Sequence, residues 1–161
     1  MLSMAIGKAM GMDDDEMRNL EMAAILHDVG KIGIDEKVLR KPAMLDPEER
    51  KIMDQHPEIG ESILRPLHNL PEEVKQSIKH HQERWDGKGY PAGLKGEEIP
   101  VYARVVAVAD TYDAMTTDRP YRAALPRSVS VEEITKCAGT QFDPRVVDAF
   151  LKVMESWVDS A

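Results

Sequence analysis

Helix starts are written into this chain repeatedly, and strand pairs are not. Asp46-Pro47-Glu48-Glu49 supplies an N-cap, a proline at the first helical position and a carboxylate three residues on. Ser130 with Glu133 has the spacing of a capping box, and Asp143-Pro144 repeats cap plus proline ahead of an apolar run. The acidic run Asp13 to Glu16 sits where another helix should begin, an end at which negative charge is favourable. Together these signals predict helices over residues 2–10, 14–28, 47–54, 57–65, 71–83, 98–117, 130–138 and 144–157. The stretch 101–110 is rich in valine and has strand propensity. Its apolar pattern nevertheless runs on through Tyr112 and Met115, too long for a typical strand, and no second strand exists to pair with it. The expected class is all-α.

At 161 residues the chain has the size of one domain, 1–161, with enough material for a hydrophobic core. Its net charge of −8 is the wrong sign for holding DNA or RNA by bulk electrostatics, so a phosphate-bearing substrate must be met by local cations. The single cysteine, Cys137, excludes an internal disulfide. No leader-like N-terminus and no run approaching a membrane span are present, which points to the cytoplasm. Met4, Met10, Met17, Met22, Met44 and Met53 fall among apolar residues and are expected to fill core gaps rather than line a groove. Residues 84–97, "RWDGKGYPAGLKGE", hold four glycines and a proline. That makes a long loop with several turns, and such loops inside compact domains are usually functional or disordered.

Residues able to bind metal or move protons recur at even spacing. His27, His56, His81 and Asp110 lie 29, 25 and 29 residues apart, each on a different expected helix or helix end, and helices in a bundle can aim such side chains at one point. A mixed imidazole and carboxylate set suits Mn, Fe, Ni or Zn and not a thiolate zinc knuckle. Asp110 follows five small apolar residues on one helix, where a buried carboxylate needs a partner. His68, alone near a helix end, reads as a surface residue.

Five ordered blocks, "LHDVGKIGI", "HPEIGESIL", "HHQERWDGKGYPAGL", "ARVVAVADTYDAMTTDRPYR" and "GTQFDP", resemble the HD-GYP family of bacterial phosphodiesterases that act on cyclic dinucleotides. The resemblance runs from about residue 20 to residue 153. It implies an HD-domain bundle of about seven to eight helices with a GYP loop. It also implies hydrolysis of cyclic di-GMP to linear pGpG, GMP or both, with two divalent transition ions, Fe or Mn ahead of Ni or Zn. His27, Asp28, His56, His81 and Asp110 match the ligand positions, with Asp28 placed to bridge two ions. Lys31 matches the lysine that contacts the scissile phosphate. Tyr90 belongs to the GYP signature, and Asp113, Arg119 and Arg122 fall in the block that lines the substrate groove. On this reading the glycines after Asp28 let Lys31 swing toward the phosphate. Lys31 is not a Walker lysine, because no glycine stands at position 25 and no Ser or Thr follows it.

Two departures qualify the transfer. Relatives commonly place two histidines before the glutamate of the third block, whereas here Gln82 takes the second place. Glutamine is a poor ligand, which argues against a third metal, and His80 is expected to face elsewhere. The family also normally has an upstream helix with a further histidine, so the chain resembles a domain lacking its first helix. Low metal content, weak activity and a homodimer that buries the exposed surface are then expected. The alternative function is a catalytically weak signalling module that binds a diguanylate cyclase (GGDEF) domain through the GYP loop.

Overall fold

In the computed structural model, residues 1–118 and 122–158 are described. The described residues are helical, running α1 (Leu2–Ala9), α2 (Asp14–Leu26), α3 (Glu36–Leu39), α4 (Pro47–Met53), α5 (His56–Leu64), α6 (Glu72–His80), α7 (Val101–Thr116), α8 (Arg127–Lys136) and α9 (Pro144–Val158). Short 3-10 turns cover Val29–Gly33 and Gly96–Glu98, and an isolated bridge joins Ala138 and Phe142. No helix among the described residues is long and apolar enough to cross a membrane.

The caps explain where the helices begin. The Asp13 carboxylate accepts the N–H groups of Asp15 and Glu16, both at 2.9 Å, and Glu16 returns the favour to the Asp13 N–H. Asp46 and Glu49 make the same reciprocal pair at the head of α4. Ser130 does not cap. α8 starts at Arg127 behind Pro126, and Ser130 is a fully buried interior residue whose hydroxyl donates to the Pro126 carbonyl at 3.3 Å. The proline fixes the entry one turn ahead of the expected box. α6 ends at His80, before the expected 83, and α7 begins at Val101 because residues 96–98 form their own 3-10 turn. The turn Val29–Gly33 and the four-residue α3 are too short to leave a periodic trace.

α7 is the central post, packed against α1, α2, α6, α8 and α9. Its valines 105, 106 and 108 join Ile6, Leu20, Val74, Ile78, Ile134, Val146, Val147 and Phe150 in one continuous core. Tyr112 meets the Phe150 ring edge-to-face at 5.4 Å. Met4, Met10, Met17 and Met22 pack against this core as expected. Met44 does not: it is 83% exposed, in the irregular stretch before α4.

Candidate metal centre

Three helix ends meet the side of a fourth helix on one side of the bundle. α2 stops at Leu26 and hands over to His27 and Asp28, α5 opens on His56, His81 caps the C-terminus of α6, and Asp110 stands on α7. The close approach of the first two depends on Gly30. A Cβ there would stand 1.8 Å from the His56 carbonyl oxygen and 2.5 Å from the Gly60 nitrogen. The glycine therefore lets the 3-10 turn lie directly on α5. Neither Gly30 nor Gly33 has a positive φ, so close packing, not the swing expected for Lys31, requires the glycine.

The three imidazoles are oriented alike. Nδ1 of His27 donates to the Ala24 carbonyl at 2.9 Å, that of His56 to Met53 at 2.8 Å and that of His81 to Ile78 at 2.7 Å. A carbonyl can only accept, so Nδ1 carries a proton and each ring turns its Nε2 to the centre. This is the arrangement by which backbone carbonyls fix metal-ligating histidines. The His56 and His81 Nε2 atoms lie 3.1 Å apart, and the His27 Nε2 is buried with no hydrogen-bond partner. Two facing lone pairs and an orphaned third repel or go unsatisfied unless a cation lies among them. The donor set fits a metal ion.

Asp28 divides its two oxygens between the halves of the cluster. Oδ1 is 3.4 Å from the His56 Nε2 and 4.0 Å from the His81 Nε2. Oδ2 is 3.4 Å from the His27 Nε2 and accepts from the Lys31 ammonium at 2.6 Å. Ligand atoms of Asp28, His56 and His81 all lie within 4.8 Å of one another and could share one ion. Asp110 approaches from the other side, with Oδ1 3.8 Å from the His27 Nε2. It is not entombed in the apolar core as expected: its side chain is 41% exposed, on the cleft side of α7.

Burial and charge set the protonation of the group. Burial drives His81 down to about 4 and also lowers His56, so both are neutral at physiological pH and offer lone pairs. Burial opposes charge on His27 too, but the carboxylates of Asp110 and Asp28 outweigh it and raise this ring. His27 in turn holds Asp110 below the usual carboxylate range, against a smaller opposing effect of burial.

The remaining residues line the surroundings. A cavity of about 170 Å³ opens beside the cluster, walled by His81, Gln82, Tyr90, Asp110, Thr111 and Gln141 among others. Burial pushes the Tyr90 phenol up, with the nearby Asp54 carboxylate adding to the shift. Asp113 is exposed one turn beyond Asp110, and the Arg122 guanidinium donates to the Ala114 carbonyl on α7. Arg119 lies outside the described residues. His80 faces away, toward Glu83, with its Nδ1 3.4 Å from that carboxylate, and His68 is exposed. The sequence reading gave Glu83 no role, yet its side chain is fully buried at the root of the GYP loop.

Residues 1–146 match the family model for the HD domain. The chain is 45% identical to a cyclic di-GMP phosphodiesterase of Thermotoga maritima, over 98% of the chain and 43% of that protein. It is 44% identical to the cyclic di-GMP phosphodiesterase response regulator RpfG of Xanthomonas campestris, over 91% of the chain and 39% of the relative. The chain thus spans about two fifths of the length of these curated relatives. The fold is that of an HD-GYP-type protein from Bdellovibrio bacteriovorus, with a TM-score of 0.77 at 20% identity over 96% of this chain and 49% of that one. With the family model covering most of its length and the "HDVGK" and "GYP" blocks in place, the chain belongs to the HD domain family, in its HD-GYP branch.

Proposed function

We propose that the chain is a metal-dependent phosphodiesterase that hydrolyses cyclic di-GMP to linear pGpG, GMP or both. The observation that carries this reading is the split of Asp28, one oxygen toward His56 and His81 and the other toward His27 and Lys31. His27, Asp28, His56, His81 and Asp110 would hold two divalent transition ions, with Asp28 between them. The mixed nitrogen and oxygen set suits Mn, Fe, Ni or Zn, and the family resemblance puts Fe or Mn ahead of Ni or Zn. When bound, such a pair supplies Lewis acidity toward a phosphodiester oxygen and toward the attacking water.

The chain's own residues do the rest. The His56 and His81 rings stay neutral because they are buried, which keeps their lone pairs available without proton loss. Lys31 is 39% exposed at the mouth of the cluster, and its ammonium can leave Asp28 for a non-bridging phosphate oxygen when substrate arrives. This local cation is what an acidic protein needs to receive a polyanion. Tyr90, Asp113, Arg122 and, from the segment beyond the described residues, Arg119 would line the dinucleotide groove. The printed activities of the Thermotoga and Xanthomonas relatives support cyclic di-GMP as the substrate. A relative from Vibrio cholerae, 36% identical, is specific for 3′3′-cGAMP, so that dinucleotide belongs in the same assay.

The test is product analysis with protein loaded separately with Mn²⁺ and Fe²⁺. The expected result is linear pGpG or GMP from cyclic di-GMP in at least one metal form. Full metal occupancy without cleavage of either dinucleotide overturns the reading.

A further inference from the structure

The GYP loop is wound around one carboxylate. Glu83 follows the predicted ligand His81 by two residues, and its side chain is fully buried. Its Oε1 accepts the N–H groups of Ala92 at 2.7 Å and Gly93 at 3.1 Å, and its Oε2 accepts that of Leu94 at 3.1 Å. Three consecutive backbone donors thus converge on one anion, the concave arrangement that binds free anions elsewhere, filled here by the protein's own side chain. On the other side of the same residue, Gly89 rests on the backbone: a Cβ there would fall 2.5 Å from the Glu83 Cα and 2.3 Å from the Arg84 nitrogen. Residues 89 to 94 therefore touch Glu83 at both ends, and Tyr90 and Pro91 are carried between those two attachments.

A second set of bonds fixes Glu83 itself. The Trp85 N–H donates to the Gln141 carbonyl at 3.1 Å and the Asp86 N–H to Thr140 at 2.8 Å. The Arg84 guanidinium grips the Asp86 carboxylate at 3.1 and 2.9 Å and reaches the Gln141 side chain at 3.3 Å. The root of the loop is thereby pinned to the segment ahead of α9, while its tip is held by the three bonds to Glu83 and by a longer one from the Tyr90 N–H to the Gln82 carbonyl at 3.4 Å.

We infer that Glu83 is the positioning residue that holds Tyr90 as the wall of the cavity beside the metal cluster. Glu83 stands at the base of that cavity, and it acts on Tyr90 through the backbone of Ala92, Gly93 and Leu94. A carboxylate buried against three amide donors is well satisfied, and any neutral replacement leaves a donor unpaired. Only the kinetic part of the test rests on the phosphodiesterase reading.

Amide hydrogen exchange on the wild-type protein gives the direct test. The Ala92, Gly93 and Leu94 amides are expected to be protected as strongly as those within α7, although they lie in a loop. Exchange at the rate of free loop amides overturns the inference without any variant. Glu83→Gln keeps the size and one acceptor oxygen but turns an NH₂ toward the backbone donors. In that variant the three amides should exchange at least about tenfold faster, with metal content by elemental analysis unchanged and KM for cyclic di-GMP raised about tenfold against a change in kcat below about threefold. Metal loss with undisturbed loop amides would make Glu83 a support of the cluster instead, and a wild-type KM with freed amides would show that Tyr90 is placed by something else. If the wild-type protein cleaves no cyclic dinucleotide, the functional reading fails while the exchange experiment still decides the role of Glu83.

Discussion

At Asp28 two demands fall on one side chain. Its oxygens face different histidines, and one also holds the Lys31 ammonium. Among the described residues, Asp28→Ala removes the one carboxylate placed between the two halves of the cluster. Elemental analysis of the purified variant should find less than about a tenth of the wild-type metal, because ligand loss at the centre is felt by both ions. Unchanged metal would sink the site assignment. Lys31→Ala separates binding of metal from binding of phosphate. The metal content should hold, while kcat/KM for cyclic di-GMP falls roughly a hundredfold, the usual scale for removing one preorganised charge from a phosphate-transfer site. Wild-type kinetics in that variant would remove Lys31 from the mechanism. Asp28 and Lys31 were legible in the sequence through the "LHDVGKIGI" block, whose resemblance to the HD-GYP family supplied their expected roles. Glu83 was not, since a glutamate in a polar loop is by default a surface residue, and only the fold reveals the three amides that surround it.

Elements rather than residues set the geometry of the cluster. The long helices were legible from their caps and apolar period, and α2, α4 and α9 begin where the cap signals place them. The 3-10 turn Val29–Gly33 was not, although it decides how closely His56 approaches Asp28. A five-residue turn carries no periodicity, and its glycine looks like a hinge until the contact across to α5 is seen. Gly30→Ala tests that contact. The new methyl cannot stay 1.8 Å from the His56 carbonyl oxygen, so the turn and α5 must separate. Overpacking of this kind costs about 1–3 kcal/mol. The metal affinity should fall at least about tenfold, since ligand placement is lost together with packing. A Mn²⁺ titration checks it. Wild-type affinity in Gly30→Ala would mean that the turn does not set the ligand spacing.

For the molecule as a whole, the metal centre and the apolar core are separate sources of stability. The core gathers residues of α1, α2, α6, α7, α8 and α9 around Phe150 and the valines of α7, with Leu64 at the far end of α5 joining it. The cluster sits at one side, where the ends of α2, α5 and α6 meet α7. Chelation should therefore leave the helices standing and weaken the molecule without unfolding it. An ion that binds only the folded chain stabilises it by about 4 kcal/mol at a thousandfold excess over its Kd. For a chain of this size each kcal/mol moves the melting temperature by about 2–4 °C, so the metal-saturated protein should melt roughly 8–16 °C above the chelated one. Far-ultraviolet circular dichroism at 25 °C should be nearly the same in both states, because the buried core needs no ligand to hold α7 among its neighbours. α5 is the element most exposed to metal loss. It packs on α6 and on the turn Val29–Gly33, and the ring of His56 at its head is held, apart from its bond to the Met53 carbonyl, only against other groups of the cluster, the His81 Nε2 at 3.1 Å and the Asp28 Oδ1 at 3.4 Å. Hydrogen exchange in the chelated protein should accelerate first in α5 and in the turn after α2, and last in α7 and α9. Equal melting temperatures with and without metal would mean that the five residues do not bind it tightly. Loss of helix on chelation would mean that the core alone does not carry the fold.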